Sequence, residues 1–394
     1  MDQVRNPFSP GAGAPPPELV GRSEILHGAQ VLVQRVREGR PEKSMLLTGL
    51  RGVGKTVLLN EINRIAIAGG YRTIQLESPE DSTLVEMLAP QLRTLLFELD
   101  RMAGAGAKAR RALGVLKSFI SAFKVRYGGV ELALEFEPEV GTADSGDLES
   151  DLIQLFMAVA DAAEERGCGV ALLIDEMQYL KEAELRAVIM AMHRLQQERK
   201  QFILVGAGLP SLLGLSGRAR SYAERLFNFP VIGALSRAEG NHAIREPVRN
   251  AGAEIDDSAL EEIHRLTQGY PYFLQEWGYH SWNRAAQSPI SMTDVTEATV
   301  TVIRRLDEGF FRVRFDRLTP SEKRYLRAMA EMGPGPHRTG DIATALHLNV
   351  RSLGPTRAIL ISKGMIFSPE YGKLAFTVPL FDDFMKRVMP NMAA

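Results

Sequence analysis

The eight residues Gly49-Leu50-Arg51-Gly52-Val53-Gly54-Lys55-Thr56 constrain this chain more than any other stretch. They stand between an apolar run, Met45-Leu46-Leu47, and a helical one carrying Val57, Leu58, Leu59 and Ile62. The pattern is GxxxxGK(S/T) in the strand-to-helix setting that it requires. Glycines let a backbone curl until successive N–H groups face one anion, and the helix N-terminus behind them adds partial positive charge. Lys55 is then expected at the β- and γ-phosphates of a nucleotide and the Thr56 hydroxyl on Mg2+. The surroundings agree with such a loop. Short strand-like runs at 45–48, 71–76, 170–174, 202–205 and 227–232 alternate with helical patterns. That is the signature of an α/β domain whose parallel sheet is covered by helices.

A second stretch tests the first. Gly169-Val170-Ala171-Leu172-Leu173-Ile174-Asp175-Glu176 is a continuous apolar run ending in two carboxylates. A strand buried on both faces of a parallel sheet reads this way, and ligands of open α/β sheets sit at its carboxyl end. Asp175 there can hold the hydration shell of Mg2+, and Glu176 can act as general base on a water. The pair therefore suits hydrolysis and not binding alone.

The rest of the chain falls into segments. Residues 1–18 are rich in Pro and Gly and read as an extended leader, with the phosphate-loop α/β core expected over 19–232. Within that core, Phe123, Val125 and Tyr127 alternate with Lys124 and Arg126. After Gly128-Gly129, Val130, Leu132, Leu134 and Phe136 alternate with Glu131, Glu135 and Glu137. This predicts a β-hairpin insertion at about 119–138 that packs one apolar face on the domain. Residues 233–306 read as all-helical, and 307–394 as a winged helix-turn-helix: three helices, from 321, 339 and after 352, then two short strands at 365–367 and 374–376. Formal charge is −1, from 47 Lys+Arg against 48 Asp+Glu, so any nucleic-acid surface must be local. One cysteine, Cys168, excludes an intramolecular disulfide or a Cys-based zinc cage, and the seven histidines show no ligand spacing. No run reaches the ~18 apolar residues of a membrane span. The expectation is a cytoplasmic protein without a membrane partner.

The order of phosphate loop, acidic strand and helical lid resembles the AAA+ ATPases, in particular the origin-recognition and cell-division-control initiator branch and the related STAND signalling ATPases. Leu19-Val20-Gly21-Arg22 resembles the box with which that branch embraces adenine, and Asp175-Glu176-Met177-Gln178 resembles its acidic motif. Gly269-Tyr270-Pro271 resembles the GxP motif of the STAND lid, where proline lies near the base, and Asn6-Pro7-Phe8 is similar to the opening of many bacterial proteins described only as ATP-binding. The resemblance implies a P-loop AAA+ core, a lid and a C-terminal winged helix. It also implies ATP and Mg2+ bound between core and lid, with Val20, Gly21, Arg22, Tyr270 and Pro271 on the nucleotide. Two departures stand out. Gly206-Ala207-Gly208-Leu209-Pro210 lacks the Asn or Thr that usually senses γ-phosphate, with Ser211 a weak substitute, and Tyr272 stands where initiators carry a second-sensor Arg.

Before the last core strand, Arg218, Arg220 and Arg225 occupy the segment where the resemblance implies an arginine finger acting on a neighbour's nucleotide; Arg225 is the first candidate and Arg220 the second. Assembly into a nucleotide-dependent homo-oligomer follows from that role. From residue 318 onward ten Lys/Arg stand against six Asp/Glu, which suits duplex DNA. Arg357 and Lys363 are expected on the recognition helix and Lys373 in the wing. Two readings result: an ATPase that couples hydrolysis to conformational or assembly change on DNA, or a STAND-like switch whose winged helix packs or binds a protein partner. A metabolic kinase is disfavoured, since no substrate domain remains.

Overall fold

The computed structural model describes residues 1–11, 13–79, 82–102, 106–127, 130–131, 136–219 and 223–391. The chain divides into two compact bodies, one made of residues 22–49 and 55–232, the other of 1–21, 50–54 and 233–394. No helix among the described residues is long and apolar enough to cross a membrane.

The first body is built on a parallel sheet. Its strands are β1 (Ser44–Gly49), β2 (Tyr71–Glu77), β5 (Gly169–Asp175), β6 (Phe202–Gly208), β7 (Phe227–Asn228) and β8 (Val231–Ile232), and between β2 and β5 a separate hairpin forms from β3 (Arg126–Tyr127) and β4 (Val130–Glu131). Spatial order is β2-β5-β6-β1-β7, with β8 also on β1. Every residue of β1, β5 and β6 is buried, whereas edge strand β2 alternates buried and exposed positions. Continuous apolar runs belong to the centre of a parallel sheet because helices cover both faces. The run 227–232, expected as one strand, is two short ones. Pro230 lies between them and has no N–H for a ladder, although its carbonyl accepts from Thr48 N at 2.9 Å.

The insertion between β2 and β5 is mostly helical: Leu84–Arg101, Ala107–Phe123 and Leu148–Glu165. Thr83 and Glu86 cap the first by a reciprocal box, and Asp147 caps the third through Ser150 N. Phe123, expected to open the hairpin, ends a helix instead; its ring packs on Phe119 at 4.8 Å, and Lys124 closes the helix in the left-handed region. The hairpin begins only at Arg126, with Arg126 opposite Glu131. Gly128, Gly129, Leu132, Leu134 and Glu135 lie outside the described residues.

The second body is helical to residue 316 and a winged helix beyond. Helices Arg237–Asn250, Asp257–Thr267, Pro271–Arg284 and Met292–Arg305 are followed by a π-helical stretch, Leu306–Phe311, and the short helix Arg312–Asp316. Helices Pro320–Glu331, Thr339–Ala345 and Gly354–Ser362 then pack with β9 (His337–Arg338), β10 (Ile366–Phe367) and β11 (Lys373–Phe376), ordered β10-β11-β9. A closing helix, Phe381–Val388, has no counterpart in the sequence reading; Phe381 and Phe384 pack against Phe311 at 5.7 and 5.3 Å. The leader is anchored rather than merely extended. Phe8 is 2% exposed, close against Gly278, while Asn6 Nδ2 donates to the Tyr279 carbonyl at 2.9 Å and Trp282 Nε1 to that of Asp2 at 2.8 Å.

Candidate active site

In the first body the helix Lys55–Ala68 starts directly after the glycine loop that leaves β1. Lys55 is buried, and its ammonium donates to the Gly49 carbonyl at 3.0 Å. The next residue meets the acidic strand: Thr56 Oγ1 donates to Asp175 Oδ2 at 2.6 Å. Asp175 ends β5 at 6% exposure, and its other oxygen accepts the Glu176 N–H at 2.8 Å. Glu176 takes φ +54, so the chain turns sharply and the half-buried carboxylate leaves the strand direction. A hydroxyl and a carboxylate oxygen held together, with a second carboxylate one residue on, form an all-oxygen donor set that fits a hard divalent cation.

The crown of the loop, residues 50–54, belongs to the second body. Gly52 (φ +81) and Gly54 (φ +94) adopt backbone that L side chains rarely enter. A Cβ on Gly52 would lie 2.9 Å from Tyr270 Cε1 and 3.3 Å from its hydroxyl. Tyr272 N donates to the Gly52 carbonyl at 3.2 Å. Tyr270 is 2% exposed, and its hydroxyl has no hydrogen-bond partner among the described residues, a polar atom left for a ligand beside the loop. Burial pushes that phenol well above its usual range, so it stays a donor. Val53 is buried, Leu50, Arg51 and Val57 are half-buried, and Pro271 opens the helix that Tyr270 caps. Val20 is half-buried; Gly21 (φ +69) lies so near Glu239 that a Cβ would come within 2.6 Å of its carboxylate, and Arg22 caps the helix Ser23–Arg37.

Two residues to which the sequence reading gave no role of their own stand out, Gln178 in the first body and Arg314 in the second. Gln178 donates its amide to Glu176 Oε2 and accepts the Leu209 N–H at 3.0 Å. Arg314 lies 3.9 Å over the Phe310 ring and donates to the Phe310 carbonyl, and Phe310 stacks on Tyr272 at 4.8 Å. Burial and the Arg51 guanidinium push Arg314 down to about 10, still charged at neutral pH, and no carboxylate lies within ion-pair distance of it among the described residues. Gln178 is the last residue of the acidic motif Asp175-Glu176-Met177-Gln178, whereas Arg314 sits in no motif.

The other expected residues are dispersed. Arg225 is exposed on the helix Ala223–Leu226, with no ion pair among the described residues; Arg220 lies outside them. Ser211 opens the helix Ser211–Ala219. In the tail, Lys363 is spent inside the fold: its ammonium meets both Glu322 oxygens at 2.8 and 3.0 Å and the Arg317 carbonyl at 3.1 Å. Lys373 pairs with Glu370 at 2.8 Å, while half-buried Arg357 has no ion pair among the described residues.

Residues 18–205 match the family model described as the AAA ATPase domain. Residues 308–385 match a domain of unknown function, DUF8462. No protein of curated function matches the sequence. Among solved structures, the Walker-type ATPase PABY2304 of Pyrococcus abyssi is similar over 93% of this chain and 96% of its own, at 17% identity and TM-score 0.60. That likeness is one of fold, and it extends beyond the ATPase domain across the helical and winged-helix segments. The Thermotoga maritima RuvB Holliday junction branch migration motor matches at 17% identity and TM-score 0.45 (90% and 92% covered), and Aeropyrum pernix ORC1 in complex with DNA at 15% and 0.47 (95% and 94%). The residues that match the AAA ATPase domain model thus include Lys55, Thr56, Asp175 and Glu176, while Tyr270, Tyr272 and Arg314 lie outside them.

Proposed function

We propose that the chain binds ATP with Mg2+ at the phosphate loop, hydrolyses it, and uses the change in phosphate contacts to switch its lid (233–306) and winged helix (307–394). The carrying observation is the 2.6 Å bond between Thr56 and Asp175, with Glu176 directly after. Thr56 and Asp175 would hold Mg2+, which when bound neutralises phosphate charge. Lys55 and the N–H groups of residues 50–54 grip the β- and γ-phosphates, and Arg314 with Arg51 adds cationic charge there. Val20, Gly21, Arg22, Tyr270 and Pro271 are assigned to the adenosine end. Glu176 accepts a proton from the attacking water as its oxygen bonds to the γ-phosphorus and the bond to the bridging oxygen of ADP breaks. Arg225 is the candidate finger toward a neighbouring copy. The test is a pair of variants: Lys55→Ala weakens ATP binding, whereas Glu176→Gln keeps binding and slows turnover by about 100-fold or more. Native-rate hydrolysis by Glu176→Gln at saturating ATP and Mg2+ refutes the assignment.

On this reading the tail acts on duplex DNA through Arg357 and the wing. A specific observation favours a protein partner instead. Five of the ten tail cations, Arg327, Lys363, Lys373, Lys386 and Arg387, are already in ion pairs. Leu348, Val350 and Ile359 are about half exposed, and Tyr371 is fully so. Binding to mixed-sequence duplex at low salt, with and without ATP, separates the two.

A further inference from the structure

We propose that Gln178 is the positioning residue of the hydrolytic site: it holds the Glu176 carboxylate and ties it to the end of β6. The inference rests on the hydrolytic reading above and names a residue that reading does not use. Both ends of the carboxamide are spoken for. The Leu209 N–H can only donate, so the amide oxygen must face it, at 3.0 Å. The NH2 then faces Glu176 Oε2, an acceptor, so a flipped amide would break both bonds. Leu209 directly follows β6, and its carbonyl accepts Leu212 N at 2.9 Å as the next helix begins. Space for the bridge comes from Gly208, where a Cβ would stand 2.9 Å from Gln178 Oε1. The ends of β5 and β6, neighbours in the sheet, are thereby joined through one side chain, at the place where the chain itself carries Gly206-Ala207-Gly208-Leu209-Pro210 and no polar side chain. One Glu176 oxygen is held by the amide and the other is left for the proton of the water. Since Glu176 sits in a left-handed turn outside the ladder, this amide bond supplies orientation that the strand does not.

The experiment measures phosphate release from ATP by the full chain, with Mg2+, for the parent, Gln178→Ala, Gln178→Glu and the control Glu176→Gln. Gln178→Ala is expected to lose about 10- to 100-fold in kcat, the size that misplacing a reacting group carries, with KM for ATP nearly unchanged. Gln178→Glu is the sharper variant. Its carboxylate still accepts from Leu209 N but cannot donate to Glu176, so a purely structural role predicts parent-like turnover, whereas positioning predicts a loss like that of Ala. Parent-rate turnover by either variant, or a gain in rate, overturns the role of Gln178. If Glu176→Gln is inactive while Gln178→Ala is not slowed, this inference alone falls; if Glu176→Gln hydrolyses like the parent, the hydrolytic reading falls and takes Gln178 with it.

Discussion

Replacing Lys363 by methionine separates a lysine that reads DNA from one that holds the winged helix together. Glu322 is 3% exposed; besides Lys363 it accepts the Thr319 N–H at 2.8 Å, so the variant leaves a buried carboxylate with one donor where it had more. Methionine keeps the stem packed and removes only the charge. Stranding a buried polar partner costs about 1–3 kcal/mol. The Lys363 side chain is 34% exposed, so solvent screening puts the cost in the lower half of that range, about 1–2 kcal/mol. In a body of this size that lowers the melting temperature by about 2–8 °C. The pH dependence is a second check. Burial pushes the Glu322 carboxyl up, but the bonds from Lys363 and Thr319 outweigh it and hold the group below its ordinary 4.5. A depressed carboxyl stabilises the fold above its unfolded value and ceases to do so as pH falls through the folded one. The gap between parent and variant is therefore full at neutral pH and closes below about 4.5. Thermal denaturation followed by circular dichroism at pH 7 and pH 4, together with duplex binding at low salt, reads all of this. A variant that melts with the parent but loses DNA binding would refute the structural assignment and restore Lys363 as a contact residue.

Other outcomes follow from the same geometry. Arg314→Gln should weaken ATP binding by about tenfold, the value of a charge-assisted hydrogen bond, without unfolding the lid; unchanged affinity in an equilibrium titration removes Arg314 from the phosphate site. Arg225→Ala should bind ATP normally and turn over slowly, and mixing it with Glu176→Gln should recover activity if subunits share a site; no recovery in demonstrably mixed oligomers counts against a finger in trans. Phe8→Ala should destabilise the second body by up to about 3–5 kcal/mol, the range for a buried aromatic, because Phe8 fills the space beside Gly278; a parent-like melting curve would make the leader dispensable.

What could be read from the sequence divides by the range of the interaction. The phosphate loop and the DE strand were legible because their chemistry demands fixed residue types within a few positions, and the central strands because burial on both faces forces unbroken apolar runs such as Val170 to Ile174. Phe123 shows the limit of alternation: Phe119 and Phe123 are also one helical turn apart, and packing of their rings, not propensity, decides for the helix. Lys363 and Glu322 are 41 residues apart, so a count of charges credits the lysine to a surface that the fold has already neutralised. Arg314 is hidden for the same reason, since its environment is set by Phe310 and Tyr272 and by the residues around Arg51, far apart in the chain. Gln178 lies between these cases. Its distance from Glu176 is local, but its meaning depends on Leu209, which only the pairing of β5 with β6 brings near. A polar residue two positions after an acidic strand end is therefore worth reading together with the residues that close the neighbouring strand, because the sheet makes them one site.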